Sequence, residues 1–179
     1  LMIGIGLSKI NSTAFYGCQY LNNITVDENN DYLIIMNNSL MKKDGTEIIR
    51  HFGSDVIYQI PNKVLTIRAY CFQSDDKIKS LIIPESLKTI EPSAIYNCKS
   101  LISIEVDENN QFYASYNSIL YLKNFSKIIY VPKNISGNIT LHDNLIEFEN
   151  SMFYNIKEMT NINIPNKITV INNHLFNGC

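Results

Sequence analysis

The most reactive side chains in this 179-residue sequence are four cysteine thiols, and three of them recur at a nearly constant spacing. Cys98 follows Cys18 by 80 residues, and Cys179 follows Cys98 by 81. Thiols at recurring positions could form disulfides or bind a metal ion. No C-x-x-C pair is present, however, and no histidine lies at metal-ligand spacing from a cysteine. We therefore predict no metal site.

Two acidic tetrads, Asp27-Glu28-Asn29-Asn30 and Asp107-Glu108-Asn109-Asn110, are rich in the oxygen ligands that calcium prefers. A dedicated calcium site uses about six to eight converging oxygens, often around a glycine turn, and each tetrad supplies too few. Aspartate and asparagine also bond to their own backbone in turns and tolerate left-handed backbone. We interpret the tetrads as turns and predict no cofactor.

The histidines and acids give no catalytic arrangement. His51, His142 and His174 occupy unrelated positions, and the acids outside the tetrads are dispersed. Neither a Ser-His-Asp or Cys-His arrangement nor a carboxylate pair for acid–base chemistry is supported by the spacing. We predict no catalytic residue and no enzymatic activity.

Charge and hydropathy exclude two further classes of partner. The net charge is −2, and the lysines and arginines are scattered rather than gathered in a stripe that would bind nucleic acid. No apolar run approaches the roughly 18 residues needed to cross a bilayer, so we predict no membrane insertion within this segment.

The opening run, Leu1 to Leu7, is too short for a signal peptide and lacks a basic flank. We expect the chain to be a fragment of a longer repeat array.

The element that positions these residues is an internal repeat. Ile10 to Asn30 matches Ile90 to Asn110 at an offset of 80, and a shorter period of 23 separates Ile67 from Ile90. Taking each repeat to start at an Ile or Phe, apolar residues recur five, fourteen and sixteen positions later. The repeat starts are Ile10, Ile67, Ile90, Phe148 and Ile171. The residues five positions after a start are Phe15, Phe72, Ile95, Phe153 and Phe176. Those fourteen positions after are Ile24, Leu81, Ile104 and Ile162, and those sixteen positions after are Val26, Ile83, Val106 and Ile164.

This phasing predicts a solenoid. The residues at fourteen and sixteen alternate, so both point to one side of a strand. A 23-residue unit with one short strand cannot bury that side alone, whereas stacked units form a parallel sheet with a continuous core. Cys18 and Cys98 would then lie about three or four coils apart, roughly 14 to 19 Å at about 4.8 Å per coil. A disulfide needs Cα atoms within about 7 Å, so we interpret these cysteines as core residues of the convex turns.

Longer units of about 57 residues lie between the short ones and contain hairpin signals. Asp44-Gly45, between apolar runs, predicts a tight hairpin. The second copy has Asn124-Phe125-Ser126 in its place, which predicts a different turn type. Pro61, Pro84, Pro132 and Pro165 each follow an apolar strand residue and should end the strand, because proline cannot donate a ladder hydrogen bond.

With the units aligned, the pattern L-x-x-I-x-I-P-x-S-L resembles the BspA-type leucine-rich repeat. It stands here as Leu81 to Leu87, followed by Ile90, Ala94-Ile95 and Cys98. The resemblance covers essentially the whole chain. It departs from the pattern at Asp75 and Ile156, where the cysteine is absent, and at Cys71, where alanine is usual. The resemblance implies a surface-exposed or secreted protein of oral bacteria or parasitic protists that adheres to host cells or matrix.

The predicted fold class is thus a leucine-rich-repeat superhelix, mostly β, with a parallel concave sheet, short helical or irregular convex turns and small hairpins in the longer repeats. We expect residues 1–179 to form one solenoid domain. Residues between the buried ladder positions should face the concave side and bind a partner there. They are Asn22, Asn23, Thr25, Lys79, Ser80, Ile82, Ile102, Ser103, Glu105, Thr160, Asn161 and Asn163. Tyr113, Tyr116, Tyr121 and Tyr130, in the second long unit, are further candidate contact groups.

Two functions fit these observations. The first is a non-enzymatic adhesion or protein-binding module at the cell surface or in secreted form, with host-cell, matrix or other protein ligands. The second is an intracellular, cytoplasmic scaffold built from the same repeat, because four cysteines without a feasible pairing suit a reducing compartment.

Overall fold

In a computed structural model, the chain is described over residues 1–11, 13–18, 20–21 and 23–179 and forms a mostly-β solenoid of about seven turns. No helix occurs in these ranges, so irregular turns connect the strands. The described strands are β1 (Met2–Ile3), β2 (Thr25–Val26), β3 (Leu33–Met36), β4 (Ser39–Lys42), β5 (Glu47–His51), β6 (Ile57–Gln59), β7 (Thr66–Ile67), β8 (Ser80–Ile83), β9 (Thr89–Ile90), β10 (Ser103–Val106), β11 (Tyr113–Tyr116), β12 (Ile119–Leu122), β13 (Ile128–Tyr130), β14 (Gly137–Thr140) and β15 (Met159–Asn163). The predicted repeat solenoid is confirmed.

The first of two compact units comprises residues 1–55, 61–75 and 86–98. Its β1 and β2 pair in parallel, and its main sheet has the order β3-β4-β5-β7-β9. The strands β5, β7 and β9 run parallel, with Ile48 opposite Ile67 and Ile67 opposite Ile90. Sequence analysis did not predict this sheet at the repeat starts. The β-branched pairs Thr66-Ile67 and Thr89-Ile90 favour extended backbone there.

The second unit comprises residues 56–60, 76–85 and 99–179. It contains the parallel sheet β10-β8-β6, the antiparallel sheet β11-β12-β13 and the parallel pair β14-β15. In the first of these sheets Leu81 lies opposite Ile104 and Ile83 opposite Val106. The phased ladder residues Leu81, Ile83 and Ile104 are buried as predicted.

Each unit has apolar core residues, and the phased positions supply part of them. One buried cluster of the first unit comprises Ile3, Phe15, Ile24, Leu33, Leu40 and Ile49. That of the second includes Ile119, Tyr121, Ile139, Phe148, Phe153 and Ile156. A fully buried Leu, Ile or Phe contributes about 1.5–3 kcal/mol, and a single coil supplies only a few of them. Neighbouring coils must therefore stack before the sheets become stable.

The burial predicted for Ile164 is wrong. Its side chain is 39% exposed, although it stands at the same repeat position as the fully buried Ile83. Ile83 lies on β8, which has strand partners on both sides, whereas β15 pairs with β14 alone among the described residues. A second flanking strand is what completes the burial of this position.

Both long units contain the predicted antiparallel hairpins between β4 and β5 and between β12 and β13. The prediction that their turns differ is wrong. Gly45 N donates to Lys42 O (2.9 Å) and Phe125 N to Leu122 O (2.8 Å), and both residues have positive φ (76° and 60°). Asp44 Oδ1 and Asn124 Oδ1 each accept the backbone N–H of the residue two positions later. Aspartate and asparagine therefore support the same turn geometry at this position.

Left-handed residues also recur with the repeat in the turns that connect strands. The residue seven positions after each start has positive φ: Gly17, Ser74, Asn97, Asn155 and Gly178. The residue three positions after the start does so at Tyr70, Ser93, Ser151 and His174. Repeated reversal of the backbone at fixed positions allows each coil to close after the same number of residues.

Candidate protein-binding face

The predicted contact residues of the second unit line one side of β8 and β10. Ser80 lies opposite Ser103 and Ile82 opposite Glu105, while the intervening Leu81 and Ile104 point into the core. Ser103 Oγ donates to Ser80 Oγ at 3.0 Å. Lys79 and Ile102 are exposed where the two strands begin, and Ile102 N donates to Lys79 O at 2.9 Å. The sheet therefore brings together six of the predicted residues.

The neighbouring strand β6 adds contact residues that sequence analysis missed. Val56, Ile57 and Gln59 are exposed beside Lys79, Ser80 and Ile82, since Ile57 pairs with Ser80 and Gln59 with Ile82. The signal was present in Ile60-Pro61, which repeats Ile83-Pro84 at an offset of 23. We call these nine residues the open face: Val56, Ile57, Gln59, Lys79, Ser80, Ile82, Ile102, Ser103 and Glu105.

The open face has an apolar part flanked by isolated charges. The side chains of Val56, Ile57 and Ile102 are 54%, 62% and 42% exposed, and Ile82 is half-buried. Lys79 and Glu105 carry opposite charges, so these two residues contribute no net charge. Aliphatic side chains exposed on a regular sheet gain free energy when a partner removes them from water.

A second group of predicted residues lies on the pair β14–β15. Thr160, Asn161 and Asn163 are exposed, and the first two contact Asn138 of the adjoining strand. Asn161 Nδ2 donates to Asn138 Oδ1 at 2.8 Å, and Thr160 Oγ1 donates to the same oxygen at 3.2 Å. Here the exposed surface consists of linked amides and hydroxyls and lacks the aliphatic character of the open face.

The remaining predicted residues belong to the first unit. Asn23 and Thr25 are exposed at β2, and the terminal amine of Leu1 donates to Asn23 O at 2.8 Å. Asn22 lies outside the described residues.

The tyrosines proposed as contact groups are largely core residues. Tyr121 is fully buried, Tyr113 is 8% exposed and Tyr130 is half-buried, which leaves Tyr116 at the surface. Burial raises the pKa of the Tyr121 hydroxyl to about 12. The first unit exposes other tyrosines instead: Tyr16 and Tyr96 each contact Tyr70 edge to face, with centroids 5.1 and 6.3 Å apart.

The cysteines are free thiols with a structural role. The Cys98 thiol donates to Phe72 O at 2.9 Å, and the Cys179 thiol donates to Phe153 O at the same distance, each across 26 residues. Cys71 and Cys98 are buried, as the core interpretation requires, whereas Cys18 is half-buried and Cys179 is exposed. For Cys179 the predicted burial is wrong, although its bond to the preceding coil is the same as that of Cys98.

His51 lies near the buried thiols and bonds to Asp75, which brings together residue types found in cysteine enzymes. The thiolate is the nucleophilic form of cysteine, and burial works against it. Desolvation raises the pKa of Cys98 to about 12 and that of Cys71 well above its usual range. Both thiols therefore stay protonated at neutral pH, and neither is accessible to a substrate.

The acidic tetrads form the predicted turns. Asp27 Oδ1 and Asp107 Oδ1 each accept the backbone N–H two residues later, at 2.9 Å. The last residue of each tetrad, Asn30 or Asn110, is fully buried and bonded to backbone through its side-chain amide. Throughout the described part of the chain, no group of three or more His, Cys, Asp or Glu side chains could hold a metal ion.

No helix of the described residues is long and apolar enough to cross a membrane. Among known families, the BspA type leucine rich repeat region matches the chain in six copies, over residues 1–50 and 54–179. No curated protein sequence matches.

Several solved structures resemble the chain, among them the following three. A leucine-rich repeat protein from Eubacterium ventriosum has a TM-score of 0.64 and 22% identity, and the match covers 94% of this chain and 48% of that one. The pneumococcal vaccine antigen PcpA has a TM-score of 0.63 and 19% identity, and the match covers 93% of this chain and 38% of that one. A leucine rich cell surface protein from Faecalibacterium prausnitzii has a TM-score of 0.54 and 16% identity, and the match covers 99% of this chain and 64% of that one. At these identities the likeness establishes the fold, and the chain spans less than two thirds of each neighbour.

Proposed function

This chain belongs to the BspA-type leucine-rich repeat family, and we propose that it is a non-enzymatic protein-binding module whose contact surface is the open face. The observation that carries the proposal is the exposure of three aliphatic residues on one three-stranded sheet. Val56 and Ile57 lie at β6 and Ile102 lies at the start of β10, with Lys79 and Ser80 between them. Solvated strand residues are usually polar, so aliphatic residues exposed on one sheet favour a binding role.

We further propose that the protein is displayed at the cell surface or secreted and that its ligands are host-cell or matrix proteins. Support comes from the family and from two structural neighbours, one called a cell surface protein and the other a vaccine antigen. The polar residues Thr160, Asn161 and Asn163, in the same unit as the open face, would supply secondary contacts. Asn22, Asn23 and Thr25 are candidate contact residues of the first unit.

The experiment that tests the binding face measures attachment of the purified fluorescent chain to cultured host epithelial cells by flow cytometry. The variant Ile57→Thr/Ile102→Thr removes aliphatic surface while keeping β-branched residues on the strands. We expect at least about a tenfold loss of affinity, because two buried aliphatic side chains contribute a few kcal/mol to an interface.

The matched control is Ile146→Thr. Ile146 is 57% exposed in the same unit but lies outside the β10-β8-β6 sheet, so its replacement should leave attachment unchanged. Attachment that is equally strong in wild type and in the double variant would contradict the role of the open face.

An intracellular scaffold is the second candidate, and the four free cysteines favour it. Antibody staining of intact, unpermeabilised source cells, with and without brief external protease, separates the two. Protease-sensitive staining supports the surface protein, whereas a signal that requires permeabilisation supports the scaffold.

A further inference from the structure

The side chain of His51 is buried at the end of β5 with a carboxylate at each ring nitrogen. Nδ1 lies 2.7 Å from Asp75 Oδ2, and Nε2 lies 3.1 Å from Asp55 Oδ2. The imidazole itself has no exposed surface, and its ring packs against Phe72 with centroids 5.5 Å apart. Both distances are those of hydrogen bonds.

The two contacts together require one proton more than a neutral imidazole holds. A neutral ring has a single N–H, and its second nitrogen presents a lone pair. A lone pair facing a carboxylate oxygen at these distances is repulsive unless a proton lies between the two atoms. The hydrogen bond from Asn38 (3.0 Å), and then the bond to His51, hold the pKa of Asp55 below its usual range, so Asp55 stays an acceptor. The additional proton therefore belongs to the imidazole or is shared with Asp75.

Among the described residues, the carboxylates of Asp55 and Asp75 flank the ring at its two nitrogens. The thiols of Cys71 and Cys98 lie nearby, and burial raises the pKa of both, so they stay neutral. The Arg50 guanidinium, which lies near these thiols, is fixed by a 2.9 Å hydrogen bond to Tyr70 O. A buried carboxylate that loses its hydrogen-bond donor costs free energy, which favours a proton in each of the two contacts.

The His51–Asp55 contact adds to two bonds through which Asn38 holds the turn at residues 52–55. Phe52 N donates to Asn38 O, and Asn38 Nδ2 donates to Asp55 Oδ2, each at 3.0 Å. A Cβ atom at Gly53 would lie 2.5 Å from Asp55 Oδ2 and 2.6 Å from Asn38 Cβ, so the turn is packed tightly around this carboxylate. The side chain of Asp55 is 33% exposed and that of Asp75 only 9%, which makes Asp55 the partner that water reaches first.

We infer that His51, Asp55 and Asp75 form a proton-dependent latch, in which a second proton on the cluster stabilises the closed 52–55 turn. When that proton leaves, the His51–Asp55 contact is lost and the turn, which then keeps its bonds to Asn38, opens more often. Unlike the open face, the latch binds no partner. It makes the conformation of one corner of the first unit respond to pH.

The test combines two NMR measurements on the whole chain across about pH 5 to 9, the range in which histidine charge commonly changes. Ring ¹⁵N shifts of His51 report whether each nitrogen carries a proton, with exposed His174 as an internal reference. Amide exchange at Phe52, corrected for intrinsic pH dependence, reports turn opening. We expect both ring nitrogens to be protonated while the Phe52 amide is protected, and protection to fall about tenfold or more when the proton leaves, the scale of one hydrogen bond to a charged group.

Two substitutions separate the latch from general stability. In Asp55→Asn, the protection of the Phe52 amide from exchange should no longer depend on the charge of His51. Asp76→Asn removes a carboxylate at an exposed neighbour of Asp75, so the pH dependence of Phe52 protection should stay as in the wild type. The inference is overturned if the Phe52 amide stays equally protected after His51 loses its second proton, or if Asp55→Asn retains the wild-type profile. Asp55 is partly exposed, so this variant is expected to fold.

Discussion

At the scale of single residues, the buried asparagines Asn30 and Asn110 connect consecutive turns of the backbone. Asn110 Oδ1 accepts the N–H groups of Phe112 and Tyr113, and its Nδ2 donates to the carbonyls of Pro84 and Glu85. Asn30 makes the equivalent set of four bonds in the first unit. One buried amide thus satisfies four backbone groups, which explains why the tetrads end in asparagine.

Replacing Asn110 by alanine should lower the free energy of unfolding by about 3 kcal/mol, because buried backbone groups lose their partners. Asn109→Ala is the matched control, since the Asn109 side chain is exposed and should change stability by less than about 0.5 kcal/mol. Urea unfolding followed by circular dichroism measures both. Equal stabilities of the two variants would contradict the role assigned to Asn110.

The thiols give a second prediction at this scale. Iodoacetamide at pH 8 should modify Cys179 rapidly, because this residue is exposed, and Cys18 more slowly, because it is half-buried. Cys71 and Cys98 should react only after unfolding, since burial raises the pKa of both and thiolate is the reactive form. Peptide mass spectrometry assigns the sites, with the protein in denaturant as the control. Native labelling of Cys98 at the rate of Cys179 would be incompatible with this burial.

At the scale of elements, the hairpins of the long units depend on paired left-handed residues. Asn37 and Asn38 join β3 to β4 with φ of 47° and 54°, and Asn117 and Ser118 join β11 to β12 with φ of 48° and 67°. Two consecutive residues with positive φ match the twist of the strands that they connect. Asparagine tolerates this backbone well, whereas a β-branched side chain does not.

Ser118→Val should therefore destabilise the chain by about 1–2 kcal/mol, the cost of an L-residue with a branched Cβ in left-handed backbone. Ser118→Gly accepts the same φ and should stay within about 0.5 kcal/mol of wild type. Urea midpoints of the two variants provide the comparison. A valine variant as stable as the glycine variant would show that the hairpin tolerates another turn type.

At the scale of the whole molecule, stability depends on contacts between neighbouring repeats. In a solenoid each coil contacts mainly the coils beside it, and no coil is stable alone. That residues 1–179 form a single domain stays a prediction. We expect one cooperative thermal transition, with coincident circular dichroism and calorimetric curves. Two separated transitions would indicate independently folding parts.

The sequence by itself determined the repeat architecture. Ile, Leu or Val at fourteen and sixteen residues after the repeat starts predicted the inward-facing positions of β8 and β10, and Pro84 marked the end of a strand. These features follow from local geometry, because alternation on a strand and the missing N–H of proline do not depend on distant residues. The same logic placed Lys79, Ser80, Ile82, Ile102, Ser103 and Glu105 on one exposed face.

Only the tertiary structure decided how residues from different coils combine. It added Val56 and Ile57 to the open face, since the register of β6 against β8 brings them beside Lys79 and Ser80. It also placed Asp75, which stands at the cysteine position of its repeat, against His51, 24 residues earlier in the chain. Such contacts depend on where each coil closes, and coil closure is set by the stacking of neighbouring repeats rather than by local sequence.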